Sequence, residues 1–201
     1  TKNLILNFLA TQDEDGEVDG KPGIAGQRGK VLAAPLLANL TWKYYQATED
    51  ETFLAEVYPK LIKFFWSWFS SAHDRNRDGS PEWDNILQTG FDDNPIFDVW
   101  HPWSQGLDIS LVHSPSLEAM LYHEAKSVGK IAKQLGKPDE ETVLVTAQAE
   151  VLKASLIAGW NPNQSFYSYR DRETKQVSTG RVIAKKRGDG NMRPKDEFET
   201  G

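Results

Sequence analysis

The sequence contains no cysteine among its 201 residues. This excludes disulfide bonds, thiolate nucleophiles and cysteine-ligated zinc. Long apolar runs are also missing, since none approaches the roughly 18 residues of a membrane span, and the N-terminus lacks the basic and apolar regions of a signal peptide. We therefore expect no membrane partner and favour a cytoplasmic location, although a chain that begins with Thr1 leaves room for an upstream segment.

An excess of positive charge is absent as well. The chain has 23 basic and 29 acidic residues, which gives a net charge of −6, so it lacks the general attraction for phosphates that nucleic-acid binding requires. No nucleic-acid partner and no organic cofactor are expected. The content of 39% apolar and 11% aromatic residues is that of an ordinary globular protein.

Apolar residues at spacings of three and four predict several helices. We expect them over Ala34–Ala47, from Phe53 to Phe69 with an interruption at Pro59, from Ser114-Pro115 to Gly136, and from Pro138 to Gly159. The last two should form an antiparallel hairpin, because only a short connection separates them.

The pattern changes after residue 164. Short apolar runs separated by charged and glycine residues predict strands there. The charge also changes sign, since residues 165–201 carry nine basic and six acidic groups whereas residues 1–164 carry fourteen and twenty-three. We therefore divide the chain into a helical domain, 1–164, and an extended or β-like tail, 165–201, which we expect to continue into further sequence.

The stretch from His73 to Asp108 contains the densest functional chemistry. It has seven aspartates and one glutamate among three tryptophans and two phenylalanines. Carboxylates beside flat apolar walls suit a sugar ligand, and loops held between helices are common positions for catalytic groups. Trp83, Trp100 and Trp103 are candidate sugar platforms on these loops, whereas the tryptophans at positions 42, 66 and 68 fall on helical faces and are expected in the core.

The first part of this stretch has the spacing of a calcium loop. Oxygen ligands stand at relative positions 1, 3, 5, 7 and 9 with Gly79 at position 6, and they are Asp74, Asn76, Asp78, the Ser80 carbonyl and Glu82. Asn85 stands at position 12, where a bidentate glutamate is usual. A Ca²⁺ cofactor and a solvated acidic turn are therefore the two interpretations.

The second part is QTGFDDNP, residues 88–95. Phe91 provides an apolar wall beside a carboxyl group, and a carboxyl desolvated in this way keeps its proton to higher pH and can act as a general acid. The neighbouring Asp92 and Asp93 cannot both point at one bond. The alternative is a turn in which Asp and Asn serve only as caps.

Three motifs, NRDGSPEWD, QTGFDDNP and WSQGLDIS, together resemble the catalytic half of (α/α)6-toroid glycosidases of families 37 and 63, which include trehalases and processing α-glucosidases. The resemblance implies an all-α fold that is part of such a toroid, built from helical hairpins. It matches the family acid motif to Thr89-Gly90-Phe91-Asp92, which makes Asp92 the general acid. Asp108 would bind sugar hydroxyls, and some family members hold calcium in a similar loop. We also expect Phe91 and Asp93 to contact the substrate.

The sequence departs from the family pattern in two places. Gln88 stands where the family usually has a carboxylate, and no counterpart of the late general-base glutamate is found before Gly201. Twelve helices also need well over 300 residues at roughly 15 per helix and 5 per connection. We therefore expect an incomplete catalytic domain whose partner is the remainder of that domain, with helix faces left exposed within Leu36–Leu40 or Leu144–Leu156.

Two functions from different classes follow. The first is an inverting α-glycosidase that acts on an α-glucoside or a related oligosaccharide or disaccharide. The second is a non-catalytic helical module that binds calcium or carbohydrate, in which the aspartates serve only as ligands and caps. The histidines at positions 101 and 113 lack the spacing of a metal pair and are expected to be ordinary polar residues of loops.

Overall fold

A computed structural model describes residues 1–23, 26, 29, 31–91, 94, 96–97 and 107–178, together with the backbone of 180–185 and 192–198. Five α-helices dominate it. They are α1 (Lys2–Leu9), α2 (Leu37–Thr48), α3 (Glu51–Ser67), α4 (Pro115–Gln134) and α5 (Asp139–Ala158). Short 3-10 turns occupy Ile86–Gln88 and Ile109–Leu111. The strands are β1 (Val112–His113), β2 (Trp160–Asn161), β3 (Phe166–Tyr167), β4 (Arg170–Asp171), β5 (Gly180–Lys185) and β6 (Met192–Phe198).

The pair α2 and α3 forms the first half of the core. The Asp50 side chain caps α3 by accepting a hydrogen bond from the Phe53 backbone N–H at 3.0 Å, which satisfies one of the amides that a helix start leaves unpaired. Pro59 lies inside α3, so the predicted interruption does not end the helix. The buried side of α3 carries an apolar set at helical spacing, namely Phe53, Leu54, Val57, Leu61, Phe64 and Phe65.

The helices α4 and α5 form the predicted antiparallel hairpin. Glu118 in the first turn of α4 accepts a hydrogen bond from Ser155 near the end of α5, so the two helices run in opposite directions. Gly136 adopts φ +59° after α4, a left-handed conformation that glycine adopts without steric cost and that often ends a helix.

Helix α5 presents apolar residues on two sides. Val145, Ala149 and Leu152 are buried, whereas a second set remains exposed, namely Val143, Leu144, Val151 and Ile157. Leu144 is 61% exposed and Leu36, before α2, is 45% exposed. Leu37, Val145 and Leu152 of the same two regions are buried, so the expected exposure holds for only part of each region.

Glu124 joins α4 to the start of α2. Its two carboxylate oxygens accept the backbone N–H groups of Ala38 and Asn39 at 2.6 and 3.0 Å. Burial raises the pKa of this carboxyl to about 7, although the backbone N–H groups oppose that change. A side chain from another helix thus caps α2, which begins without a side-chain cap of its own.

The strands predicted after residue 164 are present as short antiparallel pairs. β1 pairs with β4 through Val112↔Asp171 and His113↔Arg170, and β2 pairs with β3 through Trp160↔Tyr167. The backbone of β5 pairs with β6 over Gly180–Lys185 and Met192–Phe198, with an irregularity after Val182. The β1–β4 pair ties the start of the tail to the segment before α4, and the domain boundary at residue 164 stays a prediction.

Within the described ranges, no helix combines the length and apolarity that crossing a membrane would require.

Candidate active site

The loop from Asp74 to Glu82 folds around its own carboxylates. The Asp74 side chain accepts the backbone N–H groups of Asp78 and Gly79, each at 3.0 Å. Gly79 has φ +82°, and its carbonyl accepts a hydrogen bond from Gln148 Nε2 of α5 at 2.7 Å. Burial raises the pKa of Asp74 even though these backbone amides favour its charged form. The loop is therefore held against the α4–α5 hairpin.

The predicted calcium ligands are engaged by cationic groups of the protein. Asp78 is hydrogen-bonded to Lys175 and lies 3.3 Å from His113 Nε2. Burial raises the pKa of Asp78, but the hydrogen bonds from His113 and Lys175 outweigh this and bring it below its usual range. Glu82 is fully buried and pairs with Arg75 and Arg172 at 3.4 and 3.8 Å.

This arrangement does not fit a metal site as it stands. The described residues contain no group of three or more histidine or carboxylate side chains that could hold a metal ion. The Asn76 side chain is also engaged, because its Nδ2 atom donates to the Arg172 carbonyl at 2.9 Å and to the Asp78 carboxylate at 3.1 Å. Calcium binding by the loop stays a prediction, and it requires that Lys175 leave Asp78.

A buried polar cluster lies behind this loop, and we call it the Glu118 cluster. It consists of Ser80, His113, Glu118, Ser155 and Arg170. Ser80 Oγ donates to Glu118 at 2.8 Å and lies 3.1 Å from His113 Nδ1. Arg170 Nη2 lies 3.6 Å from Glu118 and donates to Ser155 Oγ at 2.7 Å. The cluster connects the loop, α4, α5 and β4, so its role is to position these elements.

Gln88 and Asp84 fix the turn that leads to the acid motif. Gln88 Oε1 accepts the backbone N–H of Asp84 at 2.6 Å, and Gln88 Nε2 donates to the Asp84 carboxylate at 2.8 Å. Asp84 also pairs with Arg75 and His73 at 2.7 and 3.0 Å. Burial lowers the pKa of His73, but Asp84 and Glu17 outweigh this and raise it above its usual value. Gln88, which stands where the family usually has a carboxylate, thus has a local structural role.

The described part of the acid motif is residues 89–91, and a 3-10 turn capped by Asn85 leads into it. Asn85 caps the 3-10 turn Ile86–Gln88 by accepting the Leu87 N–H at 3.0 Å, and Gly90 has φ +75°. Phe91 is 54% exposed, so its ring is available to a ligand. The predicted acid Asp92 and its neighbour Asp93 lie outside the described residues.

The other predicted sugar contacts have different positions. Trp83 has no exposed surface, stacks edge-on with Trp68 at 5.7 Å and donates from its indole nitrogen to Ser114 Oγ at 3.2 Å. Trp83 is therefore a core residue, and the prediction that it provides a sugar platform is wrong. Asp108 is exposed and caps the turn Ile109–Leu111 through the Ser110 N–H at 2.9 Å. Trp100 and Trp103 lie outside the described residues.

Two cavities include residues of the acid-motif segment. One of about 340 Å³ is aliphatic, and Leu36, Leu37, Leu40, Leu87 and Gly90 are among its lining. The other, of about 310 Å³, we call the aromatic groove; Phe91, Ser116, Trp160, Phe166, Tyr167 and Tyr169 lie along it. Asn94, which follows Asp92 by two residues, also lines the aromatic groove.

A known glycoside hydrolase family accounts for most of the chain. The model of the mannosylglycerate hydrolase MGH1-like glycoside hydrolase domain matches residues 6–185. The chain belongs to this family. The match covers α1 to β5 and includes the calcium-like loop, the acid motif and the aromatic groove. A comparison with curated proteins finds no match.

Solved structures of similar fold agree with the family. The mannosylglycerate hydrolase of glycoside hydrolase family 63 from Thermus thermophilus, in complex with glucose, has a TM-score of 0.66 and 17% identity, and the match covers 89% of this chain and 56% of that one. The same enzyme in complex with Tris and D-glycerate has a TM-score of 0.68 and 16% identity, and that match covers 89% of this chain and 58% of the other. This chain therefore spans somewhat more than half the length of these structures.

The family match supports one of the two glycosidase families that the sequence motifs resemble. It supports a glycoside hydrolase of the family 63 type, as do the similar structures, and neither gives support to family 37 or to a trehalase. The MGH1-like domain is mostly helical in its described part, as predicted.

The sequence patterns do not reveal the Glu118 cluster. They predict that His113 is an ordinary loop residue, yet it is only 1% exposed. One signal was available: Glu118 lies within an apolar helical stretch and Arg170 follows an aromatic one, and buried polar residues need partners. Their mutual contact depends on the hairpin fold and could not be obtained from spacing along the chain.

Proposed function

We propose that the protein containing this MGH1-like domain hydrolyses an α-glycoside in which a hexose is joined to a small polar aglycone such as glycerate. The family match over residues 6–185 carries this proposal. The similar structures add support, since they are mannosylglycerate hydrolases described with glucose or with D-glycerate. An α-glucoside and an α-mannoside of glycerate are the first substrates to test.

In this proposal Asp92 is the general acid that protonates the leaving oxygen. Phe91, the preceding residue, keeps water from the carboxyl group, which favours the protonated acid. Asp93 and Asp108 bind sugar hydroxyls, and Trp100 and Trp103 offer flat surfaces to the ring. Inversion requires a second carboxylate about 6.5 to 9.5 Å away that activates a water, and we place this base in the part of the domain beyond the present chain.

The toroid and the domain division are part of the same proposal. The antiparallel hairpin of α4 and α5 and the packed pair of α2 and α3 are the repeating units that an (α/α)6 ring would use. The outward apolar residues of α5 would then contact a neighbouring hairpin of the ring.

The test is a substrate panel assayed with the full-length protein. It should contain the α-mannoside and the α-glucoside of D-glycerate, with maltose and trehalose as comparison substrates. We expect faster hydrolysis of the glycerate glycosides, and NMR spectra recorded early in the reaction should show the β-anomer of the released hexose as the first product. Release of the α-anomer would contradict inversion, and activity only towards trehalose would contradict the proposed substrate class.

A further inference from the structure

The aromatic groove contains a pair of rings on one short hairpin. Trp160 and Tyr167 face each other across the β2–β3 pair, and their ring centroids lie 4.9 Å apart at an interplanar angle of 63°. Edge-to-face contact of this kind stabilises a defined relative orientation. Trp160 and Tyr167 are nevertheless 44% and 37% exposed, so the pair retains surface for a ligand.

The backbone holds this hairpin tightly against the end of α5. The Ser168 N–H donates to the Gly159 carbonyl at 2.9 Å. A side chain at Gly159 would meet the carbonyl oxygens of Leu156 and Ser168 at 3.3 Å, so the chain passes closely at this turn. Trp160 follows directly, and its position is therefore set by the helix end.

The other side of the groove is formed by the start of α4 and by the acid motif. Ser116 Oγ lies 2.9 Å from Ser114 Oγ and lines the groove together with Phe91 and Asn94. Tyr169 is fixed by an edge-on contact with Phe97 at 4.9 Å. Residues with hydroxyl and amide side chains thus line the groove together with the exposed rings, and both Phe91 and Asn94 are within two residues of Asp92 in the sequence.

The chemistry of the groove selects a neutral ligand. None of its described lining residues carries a charge. A pyranose has apolar C–H faces that stack on aromatic rings and hydroxyls that reach amide and hydroxyl groups at the edge, which this mixed lining matches. A volume of about 310 Å³ lies at the small end of the roughly 300 to 1,000 Å³ of ligand pockets. A carboxylate such as glycerate would find no cationic partner among these described residues.

We propose that the aromatic groove is a subsite for a neutral pyranose ring, with Trp160, Tyr167 and the exposed Phe166 as its stacking surface. The proposal rests on the proposed glycosidase function, because it places the subsite beside the acid motif. It assigns the sugar part of the substrate, and not its anionic part, to this groove.

Binding to the 201-residue chain is the first test. Heteronuclear NMR should record titrations with methyl α-mannopyranoside, methyl α-glucopyranoside and sodium D-glycerate. We expect a pyranoside to shift the Trp160 indole signal and the Tyr167 amide, and glycerate to leave both unchanged. A groove that responds to glycerate alone would overturn the proposal.

Variants then test the residues. Trp160→Ala and Phe166→Ala should each weaken pyranoside binding by roughly two- to tenfold, the loss of one stacking contact. The matched control is Leu144→Ala, which removes an exposed apolar side chain of α5 about 24 Å away at 1.5 Å per residue and should leave binding unchanged. Near-UV circular dichroism must show the native fold of each variant. If Trp160→Ala fails to fold, binding by Phe166→Ala, which changes a more exposed residue, tests the subsite instead. Unchanged binding in the folded variants overturns the proposal.

Kinetics of the full-length protein separate this proposal from the proposed function. Trp160→Ala should raise KM and leave kcat nearly unchanged on an activated aryl glycoside. Hydrolysis with an unchanged KM in Trp160→Ala would overturn the subsite and leave the function standing. Pyranoside binding that depends on Trp160, in a protein that hydrolyses none of the glycosides, would support the subsite and contradict the glycosidase.

Discussion

The loop at residues 74–84 and the segment at residues 85–94 are adjacent, rich in acids and similar in sequence character, yet their described side chains are used differently. In the first, Asp74, Asp78 and Glu82 turn towards backbone N–H groups or towards cationic side chains. In the second, Gln88 is locked inside the turn while Phe91 stays exposed beside a cavity. A high density of carboxylates therefore does not by itself leave groups free to bind a ligand. Among the described residues, the carboxylates of the loop are already paired within the protein, whereas the Phe91 ring of the segment keeps exposed surface.

The largest expected effect belongs to the acid-motif segment. In the full-length enzyme, Asp92→Asn should lower kcat by roughly two to four orders of magnitude, because it removes the proton donor for the leaving oxygen, while substrate binding and the melting temperature stay unchanged. The loss should be smaller on an activated aryl glycoside, whose leaving group needs less protonation. Asp93→Asn is the control; a larger loss in that variant, again dependent on the leaving group, would move the acid to Asp93.

The next largest effect is a loss of stability when the support of the loop is removed. Glu118→Ala should lower the free energy of unfolding by about 3 to 5 kcal/mol, because it leaves Arg170 buried without its carboxylate. Urea denaturation measures this loss. Glu150→Ala, an exposed acid on α5 that pairs with Lys153, should change stability by less than about 0.5 kcal/mol. Equal effects of the two variants would show that the loop does not depend on the cluster.

A smaller effect is expected at His73, which joins the two segments through Asp84. The pKa of His73 is raised in the folded protein above the value of 6.5, so its stabilising contribution is complete below pH 6.5 and is lost as the pH rises through the folded pKa. His73→Gln should therefore cost about 1 kcal/mol near pH 6 and less at pH 9. Thermal unfolding between pH 6 and pH 9 measures this loss of stability, and His123→Gln, at an exposed histidine, is the control. A loss in His73→Gln that grew with pH would contradict the prediction.

The smallest effect concerns calcium. If the loop binds Ca²⁺, the ion must displace Lys175 from Asp78, so Lys175→Met should tighten binding by roughly two- to fivefold. Calorimetric titration of chelator-treated protein measures both affinities. Absence of heat with millimolar calcium in both proteins would end the calcium interpretation and leave the loop as a purely structural turn.

The sequence patterns were sufficient to predict where the helices lie, but they were insufficient to predict the direction in which individual side chains point. Spacing predicted the α4–α5 hairpin and the strands after residue 164, because apolar periodicity records burial directly. It could not place Trp83, which looked like its loop neighbours but enters the core where Ser114 offers a hydrogen-bond acceptor. Nor could it show that Asp78 and Lys175 meet, since they are 97 residues apart in the sequence.

Glu118 also determines how the molecule opens. It binds Ser80 of the loop, Ser155 of α5 and Arg170 of β4, so none of these elements can separate from α4 without exposing a buried charge. Surface loops usually exchange their amide hydrogens through small local fluctuations, long before the domain unfolds. The amides of Asp78 and Gly79 are instead bound to the buried Asp74 carboxylate within this shared unit. We therefore expect the amides of Asp78 and Gly79 to exchange only when the loop separates from α4 and α5.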